Sequence, residues 1–499
     1  MEGFCLLTQG SLYAMPQYTN VFGRPRPNGS GATGDKNEIP GNIQVLMAMG
    51  QTMGQMGGLT IAGYATDTLG FRKTALGGFA WIIGWTFAYF FAQSLTHIIL
   101  AQTFTGIGWG IFQTLGPSYA NDIAPESLRP YATMWTNVCW IIGQIMGSAM
   151  MRGILNVKGD ISWKSVYALQ WVWPVILVPV VWLCPESPRW LVGKGRELEA
   201  RQEQLRLVPK DTEDPDISIE ALKKQMREQH EENPESFWST AQCFKGRNLV
   251  RTELATMIWI IQNMCGSTLV GWASYFMKQA GLATDLAFTM QIVMYAVGMA
   301  GTFCAFGLLP IMPRRTLYLL GHVFMVLILG AIGVVGIFQS RLASAGSWSV
   351  AVLLIMFNFV YNISVGPLTY TFVTLIPSAP MKTKTIAVAR LGYCATTLFT
   401  SSIAPLQIAA DSWNWGAKSG LFWGASGLCC LAYSYFRVPE TEGRTQSEID
   451  ELFEQKVPFR LWASCDVSWA RENETGTCEG NRFCGSSIDS SSSISGMDS

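Results

Sequence analysis

Long runs without a single Asp, Glu, Lys or Arg recur along this chain, and their lengths set its architecture. The uncharged windows are 3–23, 39–66, 74–121, 130–151, 165–185, 254–277, 286–313, 316–340, 342–381, 391–410 and 419–436. A helix crossing a bilayer needs about 20 mostly apolar residues. The window 74–121 is far too long for one crossing and must fold back once. The pattern predicts twelve transmembrane helices, six on each side of a charged interval. Lipid offers backbone amides no partner, so the spans must be helical. The expected fold is therefore an all-α membrane protein with two six-helix halves, 1–185 and 254–437. A linker loop, 186–253, joins them, and a tail, 438–499, follows and is expected to be largely disordered.

The distribution of charge agrees. Of 70 charged residues, 26 fall in 186–253 and 17 in 438–499, leaving 27 for the other 369 positions. The formal net charge of zero thus describes two solvated segments and says little about partners. No basic stripe for nucleic acid is present. No nucleophile–base pair or metal-ligand constellation appears either, which argues against an enzyme and against a metal or cofactor. The cysteines are scattered, and the adjacent pair Cys429–Cys430 suits neither a disulfide nor a zinc site. Within the linker, 196–235 reads as two short amphipathic helices. The Ser-rich end GSSIDSSSSISGMDS cannot support a core.

Short-loop cations set the orientation. Arg72, Lys73, Arg129, Arg314, Arg315, Lys382 and Lys384 fall on one side if the spans alternate, which marks that side as cytoplasmic. Both termini and the linker share it. Asn28-Gly29-Ser30 then faces outward as a glycosylation site. The lipid bilayer is the expected partner, and the expected location is the plasma membrane.

Two loops echo each other. After span 2 comes Gly63-x3-Asp67-x2-Gly70-x-Arg72-Lys73, and after span 8 comes Pro313-Arg314-Arg315-Thr316. Gly63 and Gly70 suit close helix approach and a tight turn. Each half also ends on a motif: Pro185-Glu186-Ser187-Pro188-Arg189-Trp190-Leu191 after the first, Pro439-Glu440-Thr441-Glu442-Gly443-Arg444-Thr445 after the second. Both place a carboxylate and an arginine at a cytoplasmic helix end. With these motifs the chain resembles the sugar porter branch of the major facilitator superfamily. Finer segments are similar to its fungal maltose/α-glucoside permease subgroup: GIGWGIFQTL at 106–115, Asn137 to Gln144, Gln262 to Ser267, and Gly366 to Thr371. The resemblance implies a transmembrane carrier of α-glucosides, maltose or a hexose, working by alternating access between duplicated halves. It also implies a gate network, here Asp67, Arg72, Asp122, Arg129, Glu186, Arg189, Arg314, Glu440 and Arg444, with Arg390 the main cation inside the membrane.

A sugar site needs amides and hydroxyls for vicinal OH groups and an aromatic face for the ring. At membrane depth the candidates are Gln144, Gln262, Asn263, Asn358, Asn362 and Tyr370, with packing between helices the competing role of each. Gln262 and Gly266, four apart, are expected on one helix face. Proton coupling needs a buried carboxylate. Where the subgroup tends to carry acids this chain has Cys5, Gln55 and Leu375, and only Glu2 and Asp122 remain near the bundle. Glu2 is the sole proton-coupling candidate, and a proton co-substrate is not expected. The first span opens at Met1, so a shortened first helix is expected, from a truncated gene model or a degenerate carrier. Two other readings stay open: a facilitator or exporter of another polyol or metabolite, and a sugar sensor that does not transport.

Overall fold

A computed structural model describes residues 1–25, 37–123, 129–157, 159–207, 241–378, 381–444 and 446–465, with 219, 220 and 223 of the linker. Helix fills the uncharged windows. The first is a kinked pair, α1 (Glu2–Leu12) and α2 (Pro16–Phe22), broken ahead of Pro16, which cannot donate a backbone hydrogen bond. A two-residue antiparallel ribbon, β1 (Arg24–Pro25) with β2 (Asn37–Glu38), pairs Arg24 with Glu38 and leads into α3 (Gly41–Leu69). The double window divides into α4 (Phe71–Phe90) and α5 (Leu95–Ile123), the fold-back that its length demands. Helices α6 (Arg129–Ile154), α7 (Ile161–Ala168) and α8 (Val172–Leu183) complete the first half.

In the linker, α9 (Pro188–Gly193) and α10 (Glu197–Leu207) are short. Leu191, Ala200 and Ile219 form a small apolar cluster beneath them. The second half starts earlier than the charge pattern suggested. Its first helix is α11 (Gly246–Met264), followed by α12 (Thr268–Gly271) and α13 (Ala273–Gln279). Arg251 and Glu253, counted with the linker by their charge, belong to α11 because partners neutralise them. Arg251 pairs with Asp450 and stacks on Phe453 at 4.3 Å, while Glu253 takes Arg437 and Tyr433. Then come α14 (Thr284–Leu308), α15 (Arg314–Ile337), α16 (Gln339–Ile363), α17 (Val365–Leu375), α18 (Lys382–Ile408) and α19 (Ser419–Arg437).

Six stretches of the described residues are long and apolar enough to cross a membrane: Leu95–Ala120, Ile161–Leu183, Thr284–Leu308, Arg314–Ile337, Ser344–Leu375 and Lys384–Ile408. The remaining windows hold helices that are shorter, broken, or diluted by amides and glycines, as α3 is by Gln44, Gln51 and Gln55. Large apolar side chains point outward. Val175 is 70% exposed, Leu183 75% and Leu327 62%, an arrangement suited to lipid and costly in water.

Part of the segment expected to be disordered is folded. Helix α20 (Gln446–Glu454) docks on the base of the second half, and a 3₁₀ turn, Phe459–Ser464, buries Trp462 against Phe453 at 5.0 Å. The charges of this segment misled because Asp450 and Arg444 are consumed internally, Arg444 by the carbonyls of Trp462 and Cys465. Residues 466–499, with the Ser-rich end, lie outside the described residues, as do Asn28 and most of 208–240.

Glycine decides how closely α3 and α5 approach. Without interhelical water to expel, helices in lipid associate through close backbone contact, which small residues four apart permit. Gly54 and Gly58 face Gly106 and Gly110. A Cβ at Gly110 would stand 2.1 Å from the Gln55 carbonyl oxygen, and one at Gly58 2.1 Å from that of Ile107. Gly70, at φ +89°, makes the turn between α3 and α4 as expected. Gly63 does not support close approach: it faces outward, with nothing within 4 Å of an added Cβ. Gly110→Ala should therefore lower the thermal midpoint of the purified protein, by an overpacking cost of about 1–3 kcal/mol. Gly57→Ala, where an added Cβ also meets nothing within 4 Å, should leave it unchanged or raised. Equal shifts for the two would disprove the close contact.

Candidate functional site

Helix breaks organise the interior. The first-span helix stops at Leu12, and the carbonyl of Ala14, freed by the kink, accepts the Lys278 ammonium at 2.7 Å. The equivalent break in the second half lies between α11 and α12. There Gly266 sits at φ +95°, and the freed carbonyl of Gln262 takes the Ser267 hydroxyl at 2.6 Å and the Cys265 thiol at 3.2 Å. Gln262 and Gly266 thus do not share a continuous helix face, because the helix ends at Met264. A third break falls at Ser364, between α16 and α17, where the Ser364 hydroxyl donates to the Val360 carbonyl at 2.6 Å. Irregular backbone at membrane depth survives only where protein or a cavity surrounds it.

The candidate amides cluster at these breaks. Asn358 donates to the Met294 carbonyl at 2.8 Å and accepts from Asn362 at 3.1 Å. The Asn362 oxygen accepts in turn from Asn137 of α6 at 3.2 Å, and Asn137 also reaches the Thr302 hydroxyl at 3.2 Å. This seam crosses from one half to the other. Gln262 lies within reach of the Tyr361 hydroxyl. Asn263 points elsewhere, donating to Thr397 at 2.8 Å and to the Tyr393 carbonyl at 3.2 Å, which is packing within its own half. Tyr370 packs edge-on against Trp259 at 5.1 Å. The Arg390 guanidinium stacks on Trp259 at 4.5 Å and on Tyr393 at 4.3 Å. Gln144 is half-buried on α6, and its side chain joins none of these bonds among the described residues.

At the ends of the bundle the halves behave differently. Where the β1–β2 ribbon lies, they are stapled together. Glu38, 6% exposed, accepts from the Tyr275 hydroxyl and, at 2.6 Å, from Gln279, both of the other half. Asp411 accepts from the Gly41 amide at 3.1 Å, and Arg152 pairs with Asp285 at 3.4 Å. Tyr13 stacks on Trp272 at 5.2 Å, and Ser11 bridges Ser274 and Gln291 at 3.3 Å each. At the opposite end the motif carboxylates serve their own halves. Glu186 accepts from the Phe71 and Arg72 amides at 2.9 and 3.2 Å, capping α4. Glu440 accepts from the Arg315 amide at 3.0 Å, capping α15. The same chemistry at equivalent positions is a mark of duplication.

The other gate candidates flank these caps. Arg72 lies over Trp182 at 5.1 Å, Arg314 donates to the Thr441 carbonyl at 3.4 Å, and the Asp67 carbonyl accepts from Trp190 at 3.1 Å. Arg189 is half-buried in α9. The side chains of Glu2, Asp122 and Arg129 lie outside the described residues.

Within the first half, a cavity of about 20 Å³, room for one water, is lined by Cys5, Gln51, Gln102, Thr105, Tyr167 and Gln170 among others, none charged. The reading that only Glu2 and Asp122 remain as acids near the bundle needs correction, because the ribbon carries Glu38 inward. Asn137 and Trp259, outside the sequence candidates, also contact them. Asn137 was legible as an amide within an uncharged window, Trp259 only as one aromatic among many.

A family model described as "Sugar (and other) transporter" matches residues 1–453. The chain belongs to this transporter family. It is 36% identical over 499 residues to the general alpha-glucoside permease of Saccharomyces cerevisiae, covering 99% of this chain and 79% of that protein. It is 34% identical to maltose permease MAL61 of the same yeast, over 93% of this chain and 75% of that one. Among solved structures it resembles the proton:xylose symporter XylE bound to 6-bromo-6-deoxy-D-glucose, with a TM-score of 0.70 at 16% identity, over 90% of this chain and 98% of that one. Inward-open XylE from E. coli gives 0.68, also at 16% identity and over the same shares of the two chains. The fold is that of the major facilitator superfamily, an all-α membrane transporter, and these relatives are carriers rather than enzymes.

Glu186→Gln and Glu440→Gln should each cost about 1 kcal/mol of stability, the worth of a charged helix cap. Because the caps sit in separate halves, the double variant should lose the sum. Thermal unfolding in detergent measures this, and a double variant no worse than either single one would refute independent caps.

Proposed function

We propose that this family member carries a neutral sugar, an α-glucoside such as maltose or a hexose, across the plasma membrane by alternating access. One observation carries the reading: the interruption of the helix at Ser364 lies beside a seam of neutral amides, Asn137, Asn358 and Asn362, that crosses between the halves. Interrupted hydrophobic segments are the usual pointer to a midplane site. Amide pairs between halves are exchangeable, since sugar hydroxyls replace them bond for bond when the halves part. The names of the yeast relatives support the substrate class. With the ribbon end outside, as the loop cations suggest, the stapled state is closed outward and releases substrate to the cytoplasm.

Uptake of radiolabelled maltose, glucose and trehalose into a transport-deficient host tests the proposal. At least one should enter in a saturable way, and no uptake of any of them would overturn it. Asn362→Ala should raise KM, because a site left half-paired loses about 1–3 kcal/mol of binding. Asn263→Ala should instead lower stability with KM unchanged. The reverse pattern would move the site to α11 and α18.

The neutral cavity around Cys5 and Gln102 supports carriage without proton coupling, for none of the side chains named there holds a charge. Transport should equilibrate the sugar and ignore a protonophore. A second reading is favoured by Glu38, a buried carboxylate of the first half held by groups of the second. Accumulation above the outside concentration that a protonophore abolishes, and that Glu38→Gln also abolishes, would replace the first reading with this one.

A further inference from the structure

Apart from the candidate site, α15 and α19 leave an apolar groove of about 570 Å³ between them. Leu320, Val323, Leu428, Leu431, Tyr435 and Phe436 form its walls. It runs along the first two turns of α15 and the last turns of α19, beside the end that carries the sequence motifs. Its walls are exposed in the protein alone: Leu428 is 57% exposed and Phe436 60%.

Two arginines stand at its mouth. Arg460, delivered by the folded tail, lies over Tyr435 at 4.5 Å and over Phe436 at 4.8 Å, two of the groove's own walls. Arg315 opens α15 one residue before the groove and donates to the Tyr435 carbonyl at 2.8 Å. Neither guanidinium has an ion-pair partner among the described residues, whereas neighbouring Arg437 and Arg251 are neutralised by Glu253 and Asp450. A trough deep enough for hydrocarbon, ending in two cations that have no ion-pair partner among the described residues, matches one occupant in both parts. Apolar walls alone would take any acyl chain. The paired arginines select a negative headgroup, as basic pockets between membrane helices do.

We propose that this groove binds an anionic phospholipid, acyl chain along α15 and α19 and headgroup between Arg315 and Arg460. The site is complete only when the segment 446–465 is docked, so lipid binding and tail docking favour each other.

Native mass spectrometry of the full-length protein, released from detergent with added phosphatidylserine or phosphatidylcholine, tests this. Phosphatidylserine should be retained over phosphatidylcholine and should raise the thermal midpoint. Arg460→Gln, at an exposed position, should cut retention about five-fold, the worth of one cation against an anionic headgroup. Leu428→Trp, which fills the groove from an exposed position, should cut it as well. Equal retention of the two lipids, or retention untouched by both variants, would overturn the proposal. Competition by soluble glycerophosphate as strong as by the lipid would also overturn it, because the groove would then contribute nothing.

Discussion

Every backbone amide and carbonyl inside a hydrocarbon layer must find its partner within the protein, and most of this structure follows from that demand. Unbroken helix meets it automatically. Where the chain departs from helix, a donor has been supplied at each point: Lys278 to Ala14, Ser267 to Gln262, Ser364 to Val360. These departures fall at corresponding places in the first span of each half and at the Gly-Pro segment of α17. They allow α1, α11 and α16 to bend around a common interior and present amides to it.

The same demand acts at helix ends. The first amides of a helix have no partner of their own, and a carboxylate is the strongest available. Glu186 and Glu440 fill this need at the starts of α4 and α15, and Asp411 does so for α3 from across the interface. The difference has mechanical meaning. A cap supplied from within a half survives any rocking of the halves. A cap supplied by the other half must break when that end opens. The ribbon end, held by Asp411, Glu38 and Arg152, is therefore the end whose opening carries an electrostatic cost, and that cost sets part of the balance between the two access states.

Architecture was the most legible property of the sequence, because the absence of charge over 20 residues is a direct consequence of a lipid environment. The linker boundaries and the tail were less so. Charge marks solvation only where it is not paired, and Arg251, Glu253, Asp450 and Arg444 are paired. The site was half legible. Amides within apolar windows pointed to Asn358 and Asn362, but side-chain type alone does not say whether an amide crosses the interface, like Asn137, or packs locally, like Asn263. The break at Gly266 is carried by one glycine among 49, and nothing in the spacing separates it from the others.

Glu38 shows how far position can override composition. It lies one residue before an uncharged window, which by charge pattern alone makes it a solvated loop residue. The β1–β2 ribbon turns it inward, and burial there is tolerable because Tyr275, Gln279 and Gln44 form a connected polar set around it. A carboxylate so placed holds the ribbon end closed through hydrogen bonds to α13. The first half, with neutral Cys5, Gln51 and Gln102 at its centre, has no comparable lever among its described cavity residues. The amide seam of Asn137, Asn358 and Asn362, by contrast, is made of neutral groups throughout.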